Sequence, residues 1–117
     1  MLCFDYFKRG RLAPFVDRVV LEWRKHGSII IAVDFDDTCK AYGDKPKSWH
    51  DRCRKVVDLV LECQDVGAWV IVWTAAERER WPRMLDYLAQ QGVRVDGINE
   101  PKPGLPFGHN GKVYANR

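Results

Sequence analysis

Residues 29–33, Ile-Ile-Ile-Ala-Val, form an unbroken apolar run, and Asp34, Asp36, Asp37 and Thr38 follow directly behind it. A run rich in branched side chains and free of polar alternation predicts a central parallel strand covered on both faces by helices. Asp34, Asp36 and Thr38 then fall where that strand ends. Ligands of open α/β sheets bind at the carboxyl ends of the strands, so these groups stand at the edge where function is expected.

The rest of the chain supplies the elements such a strand needs. Leu12, Phe15, Val16, Val19, Val20 and Trp23 recur at three- and four-residue steps and predict a helix closing at His26-Gly27. Cys53, Val56, Val57, Val60 and Leu61 predict a second helix ending near Gly67, which leads into a second buried strand over residues 68–73. Trp81, Met84, Leu85 and Leu88 give a third helix that stops at Gly92, followed by a short strand around residues 93–98. This βαβαβ order implies a three-layer, Rossmann-like α/β fold: a parallel sheet with right-handed crossovers and helices on both faces. Turn-formers dominate residues 99–111 and predict a long loop, after which residues 112–115 begin a further strand.

A length of 117 residues fits one domain, residues 1–117, with a single core. An apolar fraction of 46% and a charged fraction of 30% are those of a globular protein, and no apolar stretch is long enough to cross a bilayer. Asp5 interrupts the apolar start, and no small-residue cleavage pattern follows, so the expectation is a cytoplasmic chain without a signal peptide. Cys3, Cys39, Cys53 and Cys63 include no Cys-x-x-Cys pair, and His26, His50 and His109 are not spaced to complete a zinc site with them. A net charge of +3 does not by itself announce nucleic-acid binding. The cluster Lys45, Lys47, Arg52, Arg54 and Lys55 gains meaning if the substrate carries phosphates.

Spacing excludes two readings of the acidic motif. An EF-hand requires Gly at its sixth position and Glu at its twelfth, where this chain has Cys39 and Lys45, and it follows a helix rather than a β-branched strand. A P-loop fails because Val113 follows Gly111-Lys112 and Pro106 stands where the leading glycine belongs. What remains is a nucleophile and an acid two residues apart. Asp34 can attack a phosphoryl group to give an aspartyl-phosphate, while Asp36 protonates the leaving oxygen and later activates water. Carboxylates repel a phosphate dianion, so the chemistry calls for a hard cation, and Mg²⁺ suits a site made of carboxylate, backbone carbonyl and water.

The run Ile31-Ala32-Val33-Asp34-Phe35-Asp36-Asp37-Thr38 resembles the first motif of the haloacid dehalogenase-like phosphohydrolases, in particular small capless phage and bacterial members. The resemblance implies Asp34 as nucleophile and Asp36 as general acid/base, with Mg²⁺ held by the Asp34 carboxylate and the Asp36 backbone carbonyl. Asp37 stands where many members have Gly. Val70-Ile71-Val72-Trp73-Thr74 is similar to the second motif, a hydrophobic strand ending in a hydroxyl that binds the phosphoryl group. Thr38, Thr74 and Ala75 are accordingly assigned to phosphate. Thr74 could instead cap a helix starting at Ala75, but Pro82 would then lie in the helix interior; a start near Glu79 or Arg80 puts Pro82 in the first turn and leaves the Thr74 hydroxyl free.

The family's third motif is a phosphate-pairing lysine. Lys102, in Pro-Lys-Pro-Gly, and Lys112, in Lys-Val-Tyr-Ala, both resemble it, and Lys112 is preferred. A fourth, acidic motif that completes the magnesium site is not found in residues 112–117, which resemble its lead-in. The expectation is a form whose following residues carry it, or a metal held weakly through Asp96 or Glu100. Only a flap of about residues 39–49 and one helix separate Asp34 from Thr74, so no cap domain is expected. Capless members of that family act on large substrates or use a neighbouring subunit as a lid, so the resemblance implies a phosphorylated small molecule or a nucleic-acid or protein phosphate as partner, and a homo-oligomer in which a second subunit is the lid. Trp49 beside Lys45 and Lys47 suits base stacking. The leading expectation is a Mg²⁺-dependent phosphatase; its rivals are a non-catalytic binding module with an incomplete metal site and a phosphotransferase.

Overall fold

The computed structural model describes Gly10 and residues 12–27, 29–100 and 112–114, the last three as backbone. Among the described residues, three helices and four strands follow in the order α1 (Ala13–His26), β1 (Ile30–Asp34), α2 (Lys47–Asp65), β2 (Trp69–Trp73), α3 (Trp81–Gln90), β3 (Gly97–Ile98) and β4 (Lys112–Tyr114), with a 3₁₀ turn at Arg78–Arg80 before α3. Local chemistry sets the helix ends. Prolines occupy the first turns of α1 and α3, where a missing N–H costs nothing. Gly27 takes the left-handed conformation (φ 73°) that lets its N–H return to the Trp23 carbonyl, and Arg24, Lys25 and His26 oppose the negative end of the α1 dipole.

The sheet is parallel, in the order β3-β2-β1-β4, with β1 in the interior as its apolar run predicts. Ile31, Val33, Val70 and Val72 share one core cluster with Val16 and Val19 of α1, Val56, Leu59 and Val60 of α2, and Met84 and Leu88 of α3. Ile30, Ala32 and Ile71 form a separate, smaller cluster with Trp69 packed against it. No described helix contributes to that second cluster. The described residues thus show a small α/β unit with a parallel sheet and helices. None of its helices is long and apolar enough to cross a membrane.

One strand is shorter than the sequence predicts. Before Gly97 the chain bonds elsewhere: Val93 N–H to the Leu88 carbonyl, Arg94 N–H to Gln64 Oε1. At the next step a side chain replaces a strand residue, because Val70 N–H donates to Asp96 Oδ2 at 2.8 Å. Residues 101–111 of the expected loop lie outside the described residues.

Candidate active site

The acidic turn is built around a buried ring. Phe35 is 1% exposed and packs edge-on against Tyr87 with ring centroids 5.9 Å apart. Its side chain joins the core, and the flanking Asp34 and Asp36 are partly exposed. The Phe35 carbonyl accepts from the N–H groups of Thr38, Cys39 and Lys40, folding the chain back sharply. That fold buries Thr38 and sets its hydroxyl 3.3 Å from Asp34 Oδ2 as a donor. Cys39 donates its thiol to the Asp34 carbonyl at 3.4 Å. Burial, with Cys53 and Asp34 adding to it, pushes the Cys39 thiol far above its ordinary range, so it stays protonated.

Asp37 occupies the left-handed region at φ 56°, the physical reason a glycine suits this position. The aspartate compensates through its side chain. Oδ1 accepts from the Tyr42 N–H at 3.1 Å and Oδ2 lies 3.5 Å from Lys45 Nζ, so Asp37 ties down the flap that follows.

Sequence reasoning missed Arg80. Its Nη2 and Nη1 donate to Asp36 Oδ1 and Oδ2 at 2.8 and 3.0 Å, a two-pronged pair across 44 residues of sequence. Arg80 also reaches the Tyr42 hydroxyl at 3.5 Å. Its hydrogen bonds to Asp36 and that carboxylate's charge hold the guanidinium above even its ordinary range. Burial and the Asp36 charge push the Tyr42 phenol up, with Arg80 opposing them.

At the end of β2, Trp73 is level with Asp34, which brings Thr74 to the same edge of the sheet. Asn99 holds Thr74 there. Its Oδ1 accepts from Thr74 N–H and its Nδ2 donates to the Thr74 carbonyl, both at 2.7 Å, while its own backbone at φ 54° donates to the Val72 carbonyl. Asn99 is a second residue that sequence reasoning missed. The helix starts where Pro82 requires, but the Thr74 hydroxyl is not free: it accepts from Ala76 N–H at 3.0 Å, and Trp81 Nε1 fixes the same turn through the Ala76 carbonyl. As an acceptor there, the hydroxyl keeps its proton to donate to a ligand. Ala75 is exposed beside it.

No protein-family model, curated protein or solved structure matches the chain. Function is therefore read from the geometry of these side chains.

That geometry redistributes the remaining candidates. Lys112 pairs with Ile30, four residues before Asp34 and about 13 Å back along the strand, so the register does not bring it to the carboxyl edge. Lys102 lies outside the described residues. Asp96 is engaged with Val70 N–H and with Arg94 at 2.7 Å, toward the amino end of β2, and Glu100 folds back over Gly97. Trp49 is no bare stacking platform: Lys45 Nζ and the Arg52 guanidinium carbon each lie 4.3 Å from its ring centroid, and Lys47 pairs with Asp51 instead.

Among the described residues no three His, Cys, Asp or Glu side chains gather to hold a metal. Asp34, whose carboxylate accepts from one hydroxyl, and the Asp36 carbonyl are the donors the turn offers. That set fits Mg²⁺ in its usual sparse form, an ion that keeps several waters and shares the substrate's phosphate oxygens.

Proposed function

We propose that the chain is a phosphohydrolase of the haloacid dehalogenase-like kind, a capless three-layer α/β domain that cleaves phosphate monoesters through an aspartyl-phosphate on Asp34. One observation carries the reading: Asp34 ends the interior parallel strand between two hydroxyls, Thr38 bonded to it and Thr74 one residue beyond its register partner.

In the reaction a carboxylate oxygen of Asp34 attacks phosphorus while the ester oxygen departs with a proton from Asp36. Water then cleaves the acyl phosphate, giving its proton to Asp36 and restoring the Asp34 carboxylate. Thr38 orients the nucleophile, and the Thr74 hydroxyl with the Ala75 N–H receives the phosphoryl oxygens. Mg²⁺, held by Asp34 and the Asp36 carbonyl, would offset the charge of the phosphate. The substrate is a phosphate ester on a small molecule, a nucleic acid or a protein, since nothing between Asp34 and Thr74 is large enough to form a cap. Phosphate release from an aryl phosphate, with and without Mg²⁺, tests the reading: Asp34→Asn should lower turnover by about a thousandfold or more, and equal turnover in that variant would sink it.

The Asp36–Arg80 pair favours a second reading. A carboxylate accepting on both oxygens has no proton to give, so a molecule fixed in this state would bind phosphate without turning it over. Phosphate binding with no release from any ester would select that binding module.

A further inference from the structure

Arg80 ends the 3₁₀ turn that follows Thr74 and reaches to Asp36 on the neighbouring strand's loop. The planar guanidinium fork matches a carboxylate and a phosphate equally well, so a phosphate arriving at this edge competes for the same donor. The existing pair is open to solvent, with side chains 46% and 38% exposed, and an ion pair of that kind is weak enough to exchange. Other cations of the turn are held differently: Lys45 lies against Asp37 and Trp49, and Lys40 over the rings of Tyr42 and Tyr87. The Tyr42 ring, 5.8 Å from the Arg80 guanidinium carbon, gives the arginine a second support while its carboxylate partner changes.

We propose that Arg80 is an exchangeable phosphate ligand. In the free protein it clamps Asp36; a phosphomonoester dianion docking beside Asp34 and Thr74 draws the guanidinium onto its own oxygens and frees the Asp36 carboxylate, which takes up a proton from solvent and then gives it to the departing ester oxygen. One arginine thereby recognises the dianion and keeps the acid/base group idle until the dianion is present. The inference rests on the reading of this edge as a phosphate site.

Calorimetric titration of the full chain with inorganic phosphate in the presence of Mg²⁺ tests it, with folding of each variant checked by circular dichroism. Arg80→Ala should weaken binding about tenfold or more, and Arg80→Lys should recover little of that, because a point charge lacks the fork. Asp36→Asn should tighten binding about three- to fivefold, since it removes the competitor for Arg80. The double variant should match Arg80→Ala. Equal phosphate affinity in wild type and Asp36→Asn overturns the exchange whatever Arg80→Ala does; so does an unchanged affinity in Arg80→Ala, or no binding by either wild type or Asp36→Asn. Aryl phosphate turnover separates the two levels. Turnover that needs Asp34, with no tightening in Asp36→Asn, removes the clamp and keeps the hydrolase. Tightening in Asp36→Asn with no turnover in any variant keeps the clamp and removes the hydrolase.

Discussion

Two aspartate–arginine pairs flank the sheet, one toward each end of its strands, and they do opposite work. Asp96 meets Arg94 at 2.7 Å only two residues away, its side chain is 10% exposed, and it also accepts the Val70 N–H while its own N–H donates to the Val70 carbonyl. Arg94 is fastened in turn, with its N–H on Gln64 Oε1 and its Nη2 on the Ala68 carbonyl. Asp36 meets Arg80 with comparable distances, yet among the described residues no backbone N–H donates to its carboxylate, and both partners face solvent. Bond length does not separate a structural pair from a movable one. What separates them is whether backbone groups depend on the carboxylate.

The strongest way to break this contrast is Asp96→Ala. It leaves the N–H of buried Val70 without its acceptor and should lower stability by about 2 kcal/mol in urea denaturation. A loss no greater than that of Asp36→Asn would erase the distinction.

The next effect comes from the core between the two ends. Burial pushes the Cys63 thiol from 9.0 up to about 12, with Glu62 adding to it. Below pH 9 the thiol is protonated in both folded and unfolded chains, and its contribution is fully present. Between pH 9 and 12 the unfolded thiol ionises while the folded one does not, so stability falls as pH rises, by up to about 1.4 kcal/mol per pH unit. Cys63→Ala should lessen that alkaline decline and leave the share that the buried Cys39 thiol adds, read as the denaturation midpoint at pH 8 and pH 10.5. The smallest effect is at Arg80: Arg80→Ala should leave the midpoint at neutral pH where it is, since the pair it breaks is exposed on both sides. A clear drop would make the pair structural after all.

The succession of strands and helices along the chain and the place of Asp34 were legible because they depend on local pattern. An apolar run that stops at a carboxylate says where a buried strand ends, and Pro82 says where α3 cannot have started. Arg80 and Asn99 were not legible because they meet Asp36 and Thr74 across 44 and 25 residues, and periodicity reports faces rather than pairings. Lys112 shows the same limit within one element. Its strand was expected, but only the register with Ile30 reveals which end of β1 it stands beside. The shortened β3 has a related cause, since nothing local signals that the Asp96 carboxylate will take over a rung of the ladder.

Asp37 carries a consequence for the flap. A glycine at φ 56° would adopt the turn with ease and leave the following segment loose, whereas the aspartate threads a carboxylate between Tyr42 N–H and Lys45. It acts as a pin. The pin joins the acidic turn to the flap, and because Tyr42 lies on that flap, Arg80 touches both parts at once, through Asp36 on one and the Tyr42 hydroxyl on the other.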